Sequence, residues 1–295
     1  MSDTPRMPTP ASSTAADAVF MARALQLAQR GLYTTDPNPR VGCVIAKDGH
    51  IIGEGWHERA GGPHAEIHAL NAAGPQAKGA TAYVTLEPCC HHGRTPPCSV
   101  ALIEAGITRV VAAMTDPNPL VAGQGAAALS AAGLRVETGL MQLQAEALNP
   151  GFISCMRRDR PYVRAKLAAS LDGRTALAHG ESRWITGEAA RADVQVLRAR
   201  SSAILTGIGT VLADDPSLTV RAFDIGRQPL RVVLDSQLRM PVTAKMLTLP
   251  AEGLTVPTKA INSSTASVPG TVTARPVRAS PVTAIRIAAA MSSLR

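Results

Sequence analysis

Apolar residues recur every three to four positions over residues 19–32, and this spacing predicts an amphipathic helix that ends near Gly31. Residues 41–47 and 51–57 are strand-like, and the Asp48-Gly49 pair between them is typical of a β-hairpin turn. Strand-like and helix-like stretches then alternate, with strands over 81–86, 109–114 and 135–140 and helices over 65–73, 98–105, 126–132 and 141–148. This alternation predicts an α/β fold.

A second α/β unit is predicted after the charged segment 157–161. Its strand-like runs are 162–167, 203–206 and 230–234, and its helix is 186–200, with Thr186 as the expected N-cap and Glu188 in the first turn. A chain of 295 residues is long enough for two domains of ordinary size. The predicted organisation is a leader over 1–18, a first domain over 19–158, a second domain over 159–250 and a tail over 251–295.

The leader consists mainly of Ser, Thr, Pro and Ala, so we expect it to be disordered. It lacks the apolar stretch of a secretory signal, and no apolar run in the chain reaches the length that crosses a bilayer. The five cysteines have irregular spacing that does not resemble a disulfide framework. These features predict a cytoplasmic protein with no membrane partner.

The formal charge is distributed unevenly between the two halves. Residues 1–160 carry 13 basic and 13 acidic side chains, whereas residues 161–295 carry 17 and 9, a net charge of +8. A basic half could bind nucleic acid or small phosphorylated ligands. The whole chain has only eight Phe, Trp and Tyr residues, too few for the stacking platforms of a single-strand nucleic-acid surface. We therefore expect small phosphorylated ligands and no nucleic-acid partner.

The candidate chemistry lies in the first half, in the segments His64-Ala65-Glu66 and 88–98. A His-x-Glu followed by Pro-Cys and a second Cys is typical of zinc-dependent nucleobase deaminases. We predict that His64, Cys89 and Cys98 bind Zn²⁺ and leave a fourth tetrahedral position for water. Glu66 is the predicted catalytic residue, because a carboxylate beside such a site can move protons.

Several alternatives remain open from the residues alone. Cys90 competes with Cys89 as a ligand, and the adjacent His91 and His92 could bind metal or be polar loop residues. The same metal chemistry would also suit a tRNA adenosine deaminase, although its cysteines usually lie closer together. A zinc-stabilised binding module without turnover is a third hypothesis, against which the free carboxylate of Glu66 argues.

Longer motifs resemble a known family, the bifunctional deaminase/reductase of riboflavin biosynthesis. In the first half these are residues 37–42, 63–69 and 87–98, including the long Cys–Cys insert that is characteristic of the family. In the second half they are Lys166-Leu167-Ala168 with 170–174, residues 206–218 and Asp235-Ser236. The resemblance covers roughly residues 19–249.

The resemblance implies a cytidine-deaminase-like αβα layered domain followed by a dihydrofolate-reductase-like α/β domain. It implies deamination of 2,5-diamino-6-(5-phosphoribosylamino)pyrimidin-4(3H)-one, and then reduction of the ribosyl group by NADPH. Residues that would line the nicotinamide nucleotide are Ala168, Trp184, Thr210, Asp214 and Ser236. Residues that would hold the phosphorylated pyrimidine are Asn38, Ser182, Arg198, Ser217 and Arg221. Two arginines near a phosphate are chemically reasonable, because guanidinium groups pair with phosphoryl oxygens.

The tail departs from this family. No Asp or Glu follows Glu252, no aromatic residue follows Phe223, and 16 of the 45 residues in 251–295 are Ser, Thr or Pro. Such a segment lacks the apolar periodicity of core elements, so we expect it to be disordered. We hypothesise a changed reading frame or a truncation near residues 250–256, which leaves a partial reductase domain. Deamination should survive, NADPH-dependent reduction should be lost or weak, and incomplete burial should favour association into oligomers.

Overall fold

The computed structural model describes residues 14–91, 96–119, 121–249 and 256–257. The chain divides into two compact units, Met1–Asp159 and Arg160–Arg295. The first unit contains six helices and five strands among its described residues: α1 (Ala15–Gln29), β1 (Gly42–Lys47), β2 (His50–Trp56), α2 (Ala65–Ala73), β3 (Thr81–Val84), α3 (Cys98–Glu104), β4 (Arg109–Ala112), α4 (Gln124–Ala131), β5 (Arg135–Thr138), α5 (Gln142–Leu148) and α6 (Pro150–Arg158).

The five strands form one mixed sheet in the order β2-β1-β3-β4-β5. The β1–β2 and β1–β3 pairs are antiparallel, whereas β3, β4 and β5 run parallel. Because parallel strands end at the same edge, the loops after β3 and β4 meet at one edge of the sheet, where ligands bind in open α/β folds. The first of these loops carries Cys89 and the second carries Asp116.

Helices cover both faces of the sheet, and alternate strand residues point to opposite faces. One core cluster contains Val44 and Tyr83 and packs against α1, α5 and α6. The other contains Cys43 and Val84 and packs against α2, α3 and α4. The first unit is therefore a three-layer αβα domain.

The first helix begins at Ala15, so the predicted boundary of the leader at residue 18 is wrong. Thr14 caps the helix, and its side chain and backbone form a reciprocal capping box with Asp17. Asp17 is buried and also accepts hydrogen bonds from the Tyr83 hydroxyl and the Arg109 guanidinium. Polar residues that cap a helix have the same composition as a disordered segment, so composition alone does not show that Thr14 and Asp17 begin a helix. Residues 1–13 of the leader lie outside the described residues.

Two glycines let α2 pack closely on β2. A Cβ atom built on Gly53 would lie 2.3 Å from the Ala69 carbonyl oxygen, and one built on Gly55 would lie 2.4 Å from that of Ala65. Real Cβ atoms do not approach backbone so closely, so only glycine allows this contact. The β1–β2 hairpin thereby fixes the position of the helix that begins directly after His64.

The second unit contains α7 (Glu188–Ala199), β6 (Ala203–Gly207), α8 (Ile208–Asp214), β7 (Leu230–Leu234), α9 (Lys245–Thr248) and β8 (Val256–Pro257). Its strands form a parallel sheet in the order β6-β7-β8. A small core cluster lies between α8, β7 and α9, with Val211, Val233 and Met246 among its members. Helix α7 begins one residue later than predicted, with Gly187 rather than Thr186 as its N-cap.

Two further predictions for the second unit differ from the structure. Residues 162–167 form no strand, because no described strand pairs with them, and Val163 and Leu167 are exposed. The tail was expected to be disordered, yet Val256 and Pro257 form β8 beside β7. The remainder of the tail lies outside the described residues.

Candidate active site

Three potential metal ligands meet at the edge of the first unit's sheet. His64 is the N-cap of α2, Cys89 follows β3, and Cys98 is the first residue of α3. The His64 Nδ1 atom lies 3.2 Å from Cys98 Sγ and 3.6 Å from Cys89 Sγ. The three ligand atoms all lie within 4.8 Å of one another.

This donor set fits zinc. A tetrahedral Zn²⁺ bound to one nitrogen and two thiolates would separate the ligand atoms by about 3.5–3.8 Å. The distances from His64 Nδ1 are close to that range, so a metal can be accommodated with only small side-chain adjustments. Within the described part of the chain, these three residues are the one group of potential metal ligands, of the types His, Cys, Asp or Glu, whose ligand atoms converge.

The charge state of the thiols also suits a metal. The backbone N–H of Cys98 donates to Cys89 Sγ at 3.3 Å, and the two thiols are hydrogen-bonded to each other. The hydrogen bond from the Cys98 thiol, together with His64, holds the pKa of Cys89 well below its usual range. The same pairing and burial raise the pKa of Cys98. These shifts favour the thiolate form of Cys89, and a bound cation would favour a second thiolate at Cys98.

Glu66 lies two residues after His64, in the first turn of α2, and it is almost completely buried. Its carboxyl group is within hydrogen-bonding reach of the Cys98 thiol, so it faces the three ligand atoms. Burial raises its pKa to about 7, and the nearby His64 partly opposes this effect. A carboxyl group with a pKa near neutrality can both accept and return a proton.

Sequence reasoning missed His57, which lies beside the site just after β2. Its Nδ1 atom is 2.9 Å from the Pro63 carbonyl oxygen, and its Nε2 atom is 3.0 Å from Asn38 Nδ2. The Nδ1–H therefore donates to Pro63, and Nε2 accepts from the Asn38 amide. Burial lowers the pKa of His57, which favours this neutral form. Its ring also meets the His64 ring edge to face at 5.5 Å.

This contact brings Asn38, a predicted substrate residue, close to the metal ligands. Since its Nδ2 donates to His57, its carbonyl oxygen remains for another donor, and no hydrogen bond joins that oxygen to the described residues. The signal for His57 in the sequence was its position at the end of a predicted hairpin strand. That position alone does not distinguish a site residue from a structural histidine.

Glu87 is a second residue that sequence reasoning left without a role. Its buried carboxylate accepts three backbone hydrogen bonds at 3.0 Å, from the N–H groups of Asp116, Gly123 and Ala126. Gly125 packs against the same segment, since a Cβ built on it would lie 2.0 Å from the Pro88 carbonyl oxygen. Glu87 thereby joins the loop after β4 to the segment that carries Cys89.

The competing ligands lie outside the cluster. Cys90 is half-buried and His91 is exposed, and neither belongs to the group of converging ligand atoms. His92 lies outside the described residues. The geometry therefore favours Cys89 over Cys90.

In the second unit, three of the predicted substrate residues lie close together. The Arg221 guanidinium donates to the Ser217 hydroxyl at 3.2 Å, and Arg198 donates to the Thr219 carbonyl oxygen at 3.0 Å. Burial and, to a lesser extent, the positive charge of Arg221 lower the pKa of Arg198. Two neighbouring guanidinium groups of this kind attract an anionic ligand.

The predicted nucleotide residues are less closely gathered. Thr210 and Asp214 lie one turn apart on α8, and Ser236 follows β7, with all three side chains exposed. Ala168, Ser182 and Trp184 lie in the segment 161–187, which contains no helix or strand. Trp184 is 72% exposed and stacks on the Arg191 guanidinium.

The fold and the converging His, Cys, Cys and Glu side chains define the first unit as a zinc-dependent deaminase of the cytidine deaminase class. Residues 14–114 match the cytidine and deoxycytidylate deaminase zinc-binding region, and residues 161–295 match the RibD C-terminal domain. The second match extends through the tail.

Relatives with known names cover most of the chain. The chain is 60% identical over 248 residues to the riboflavin biosynthesis protein RibD of Escherichia coli. This alignment covers 80% of this chain and 68% of the relative. The Haemophilus influenzae RibD is 58% identical over 78% of this chain and 65% of its own length. The solved structure of Acinetobacter baumannii RibD has a TM-score of 0.79 at 56% identity, covering 82% of this chain and 69% of that one.

The chain belongs to the RibD family of riboflavin biosynthesis proteins. It spans about two thirds of the length of these relatives. The predicted family resemblance and the predicted order of a deaminase-like and a reductase-like domain are thereby confirmed. A zinc-binding region and a reductase domain are consistent with the expected Zn²⁺ and NADPH. The described helices include none with the length and apolar character required to span a membrane.

Proposed function

We propose that the first unit catalyses the hydrolytic deamination of 2,5-diamino-6-(5-phosphoribosylamino)pyrimidin-4(3H)-one. The observation that carries this proposal is the convergence of His64, Cys89 and Cys98 with the buried carboxyl group of Glu66 facing them. A RibD relative from Thermotoga maritima, described as a diaminohydroxyphosphoribosylaminopyrimidine deaminase and 5-amino-6-(5-phosphoribosylamino)uracil reductase, is 41% identical with a TM-score of 0.77. That likeness supports the choice of substrate.

His64, Cys89 and Cys98 would hold the metal, and zinc bound there would supply activation of water for attack on a ring carbon. Glu66 takes one proton from the attacking water and delivers it to the departing amino nitrogen. The water oxygen becomes the ring carbonyl oxygen, the second water proton is transferred to the adjacent ring nitrogen, and the exocyclic C–N bond breaks to release ammonia. The pKa of about 7 for Glu66 supports both halves of this proton transfer.

Asn38 would bind the substrate beside this centre. Its amide orientation leaves the carbonyl oxygen as a hydrogen-bond acceptor, which suits an N–H or O–H donor of the pyrimidine or ribosyl group. His57 stabilises this orientation through its neutral Nε2 atom.

The test is ammonia release by the zinc-loaded full chain. Replacement of Glu66 by Gln removes the proton carrier but keeps its shape, so we expect retained zinc and a loss of turnover of at least about 100-fold. Glu104→Gln, at an exposed position on α3, is the matched control and should keep full activity. Near-normal turnover by Glu66→Gln would remove Glu66 from this role.

The metal ligands are tested by zinc content. Cys98→Ser should lower the bound zinc sharply, because a thiolate is replaced by a weakly coordinating hydroxyl. Cys90→Ser is the control and should keep about one zinc per chain. The reverse result would assign the ligand role to Cys90. Ammonia release from tRNA but not from the pyrimidine would favour an adenosine deaminase instead.

The second unit is proposed to retain the phosphate-binding part of a reductase. Arg198, Ser217 and Arg221 support phosphate binding by their mutual placement. Ala168, Trp184, Thr210, Asp214 and Ser236 would contact NADPH, and Ser182 the substrate. Because Leu167 and Leu171 are largely exposed, we expect weak or absent NADPH oxidation with the deaminated intermediate. Oxidation of NADPH at an ordinary enzymatic rate would contradict this expectation.

The proposed setting of the protein is the cytoplasm, and exposed apolar residues favour its self-association.

A further inference from the structure

Loop 36–41 carries Asn38, and its C-terminal end is held by a residue from near the end of the first unit's sequence. Asn149 lies at the junction of α5 and α6, where it is 3% exposed. Its Oδ1 accepts from the Arg40 backbone N–H at 2.8 Å, and its Nδ2 donates to the Arg40 carbonyl oxygen at 3.0 Å. A single side chain thus satisfies both backbone groups of one residue, as a neighbouring strand would.

The Arg40 side chain completes this connection. Its Nε and Nη2 atoms donate to the Leu32 carbonyl oxygen at 3.2 and 3.1 Å, and Nη1 donates to that of Leu148 at 3.2 Å. The loop is consequently tied to the end of α5 by Arg40 and Asn149 together.

The same loop also contacts His57 beside the site. The Val41 carbonyl oxygen accepts from the His57 backbone N–H at 2.9 Å, and the Asn38 side-chain amide donates to the His57 ring. Asn38 lies two residues from Arg40, so a shift of Arg40 would move Asn38 relative to His57. Both side-chain hydrogen bonds of Asn149 go to the Arg40 backbone, so Asn149 can act on the site through this loop.

We propose that Asn149 is a positioning residue for substrate binding. It holds loop 36–41 so that the side-chain carbonyl oxygen of Asn38 faces the substrate. This inference rests on the proposed role of Asn38. It assigns a function in deamination to the α5–α6 junction, which contributes no residue to the metal cluster. The expected effect is on KM, because the zinc ligands and Glu66 belong to other elements.

The test is steady-state ammonia release by the full chain with bound zinc measured in parallel. Asn149→Ala should raise KM about fivefold or more, the effect of a lost hydrogen bond, while kcat changes less than twofold and zinc content is unchanged. Asn149→Asp has the same shape but lacks the donor to the Arg40 carbonyl, so it should raise KM in the same direction. Gln144→Ala, an exposed amide on α5, is the matched control and should change neither constant.

A double-mutant cycle with Asn38→Ala separates positioning from general destabilisation. If Asn149 acts through Asn38, then Asn149→Ala should add little to KM once Asn38 is removed. Additive effects on KM, or a loss of kcat or zinc in both Asn149 variants, would overturn the inference. If Asn38→Ala alone leaves KM unchanged, the proposed role of Asn38 is wrong and the positioning role is wrong with it. If Asn38→Ala raises KM and the Asn149 variants do not, only the positioning role is wrong.

Discussion

The close packing of α2 on β2 leads to a prediction at Gly55. An added Cβ would lie 2.4 Å from the Ala65 carbonyl oxygen, 2.5 Å from the Ala69 nitrogen and 2.6 Å from His68 Cβ. Ordinary contact begins at 3.4 Å, so Gly55→Ala requires α2 and β2 to separate by about 1 Å. Two of the three atoms are backbone, and a side-chain rotation cannot relieve those contacts.

This separation should reduce both stability and activity. Overpacking of a core typically costs about 1–3 kcal/mol, so we expect the free energy of unfolding of the first unit to fall by that amount. Helix α2 carries Glu66 and begins after His64, and a displacement of about 1 Å at a reacting group lowers turnover by about 100-fold.

Urea unfolding can follow the first unit alone. Trp56 and Trp184 are the two tryptophans of the chain, one in each unit, so a Trp184→Phe background leaves Trp56 as the fluorescent reporter. Gly151→Ala is the matched control, since no atom lies within 4 Å of its added Cβ and it lies in α6. In Gly151→Ala the free energy of unfolding should stay the same or rise by up to about 1 kcal/mol, because alanine has a higher helix propensity than glycine. A Gly55→Ala variant with an unchanged urea midpoint and unchanged turnover would refute the packing argument.

Two other buried carboxylates give predictions of different kinds. Glu87→Gln places an amide N–H against backbone N–H groups that donate to a carboxylate in the original chain. We therefore expect about 1.5–3 kcal/mol of destabilisation in the same urea assay, together with slower ammonia release. An unchanged urea midpoint and an unchanged rate would show that Glu87 does not hold these loops together. The Arg109 guanidinium is the main reason that the pKa of Asp17 lies well below its usual range. The ionised carboxylate therefore stabilises the fold above about pH 4, and this stabilisation is lost as the pH falls further. Asp17→Asn should therefore lower the urea midpoint at pH 7 and flatten its dependence between about pH 2 and 5. A variant whose midpoint falls as steeply with acid as that of the original chain would show that Asp17 does not carry this dependence.

Local patterns predicted most of the first unit's elements. The hairpin over β1 and β2 follows from two strand-like runs around Asp48-Gly49, and both residues adopt positive φ values there. The strands β3, β4 and β5 each end two residues earlier than predicted, at Val84, Ala112 and Thr138, because an apolar run does not mark where the regular strand pairing ends. The N-terminus of α1 was misplaced because Thr14 and Asp17 read equally well as polar leader residues.

Prediction was poorer in the second unit, for a physical reason. An alternating run such as 162–167 becomes a strand only when another strand pairs with it, and the run itself carries no information about that partner. Residues 203–206 and 230–234 are no more strand-like, yet they pair in register as β6 and β7. Whether a run pairs is decided by contacts between distant parts of the chain.

The sequence by itself determined the chemistry of the first unit: a nitrogen donor, thiol donors and a nearby carboxylate, whose order along the chain is typical of a deaminase. The sequence determines these features because the type of each donor and the number of residues between donors are fixed by the covalent chain. Only the tertiary structure decided which cysteines lie beside His64, that His57 orients Asn38, and that Glu87 and Asn149 hold the loops of the site. Those contacts join residues between 19 and 109 positions apart, and no local pattern can specify them.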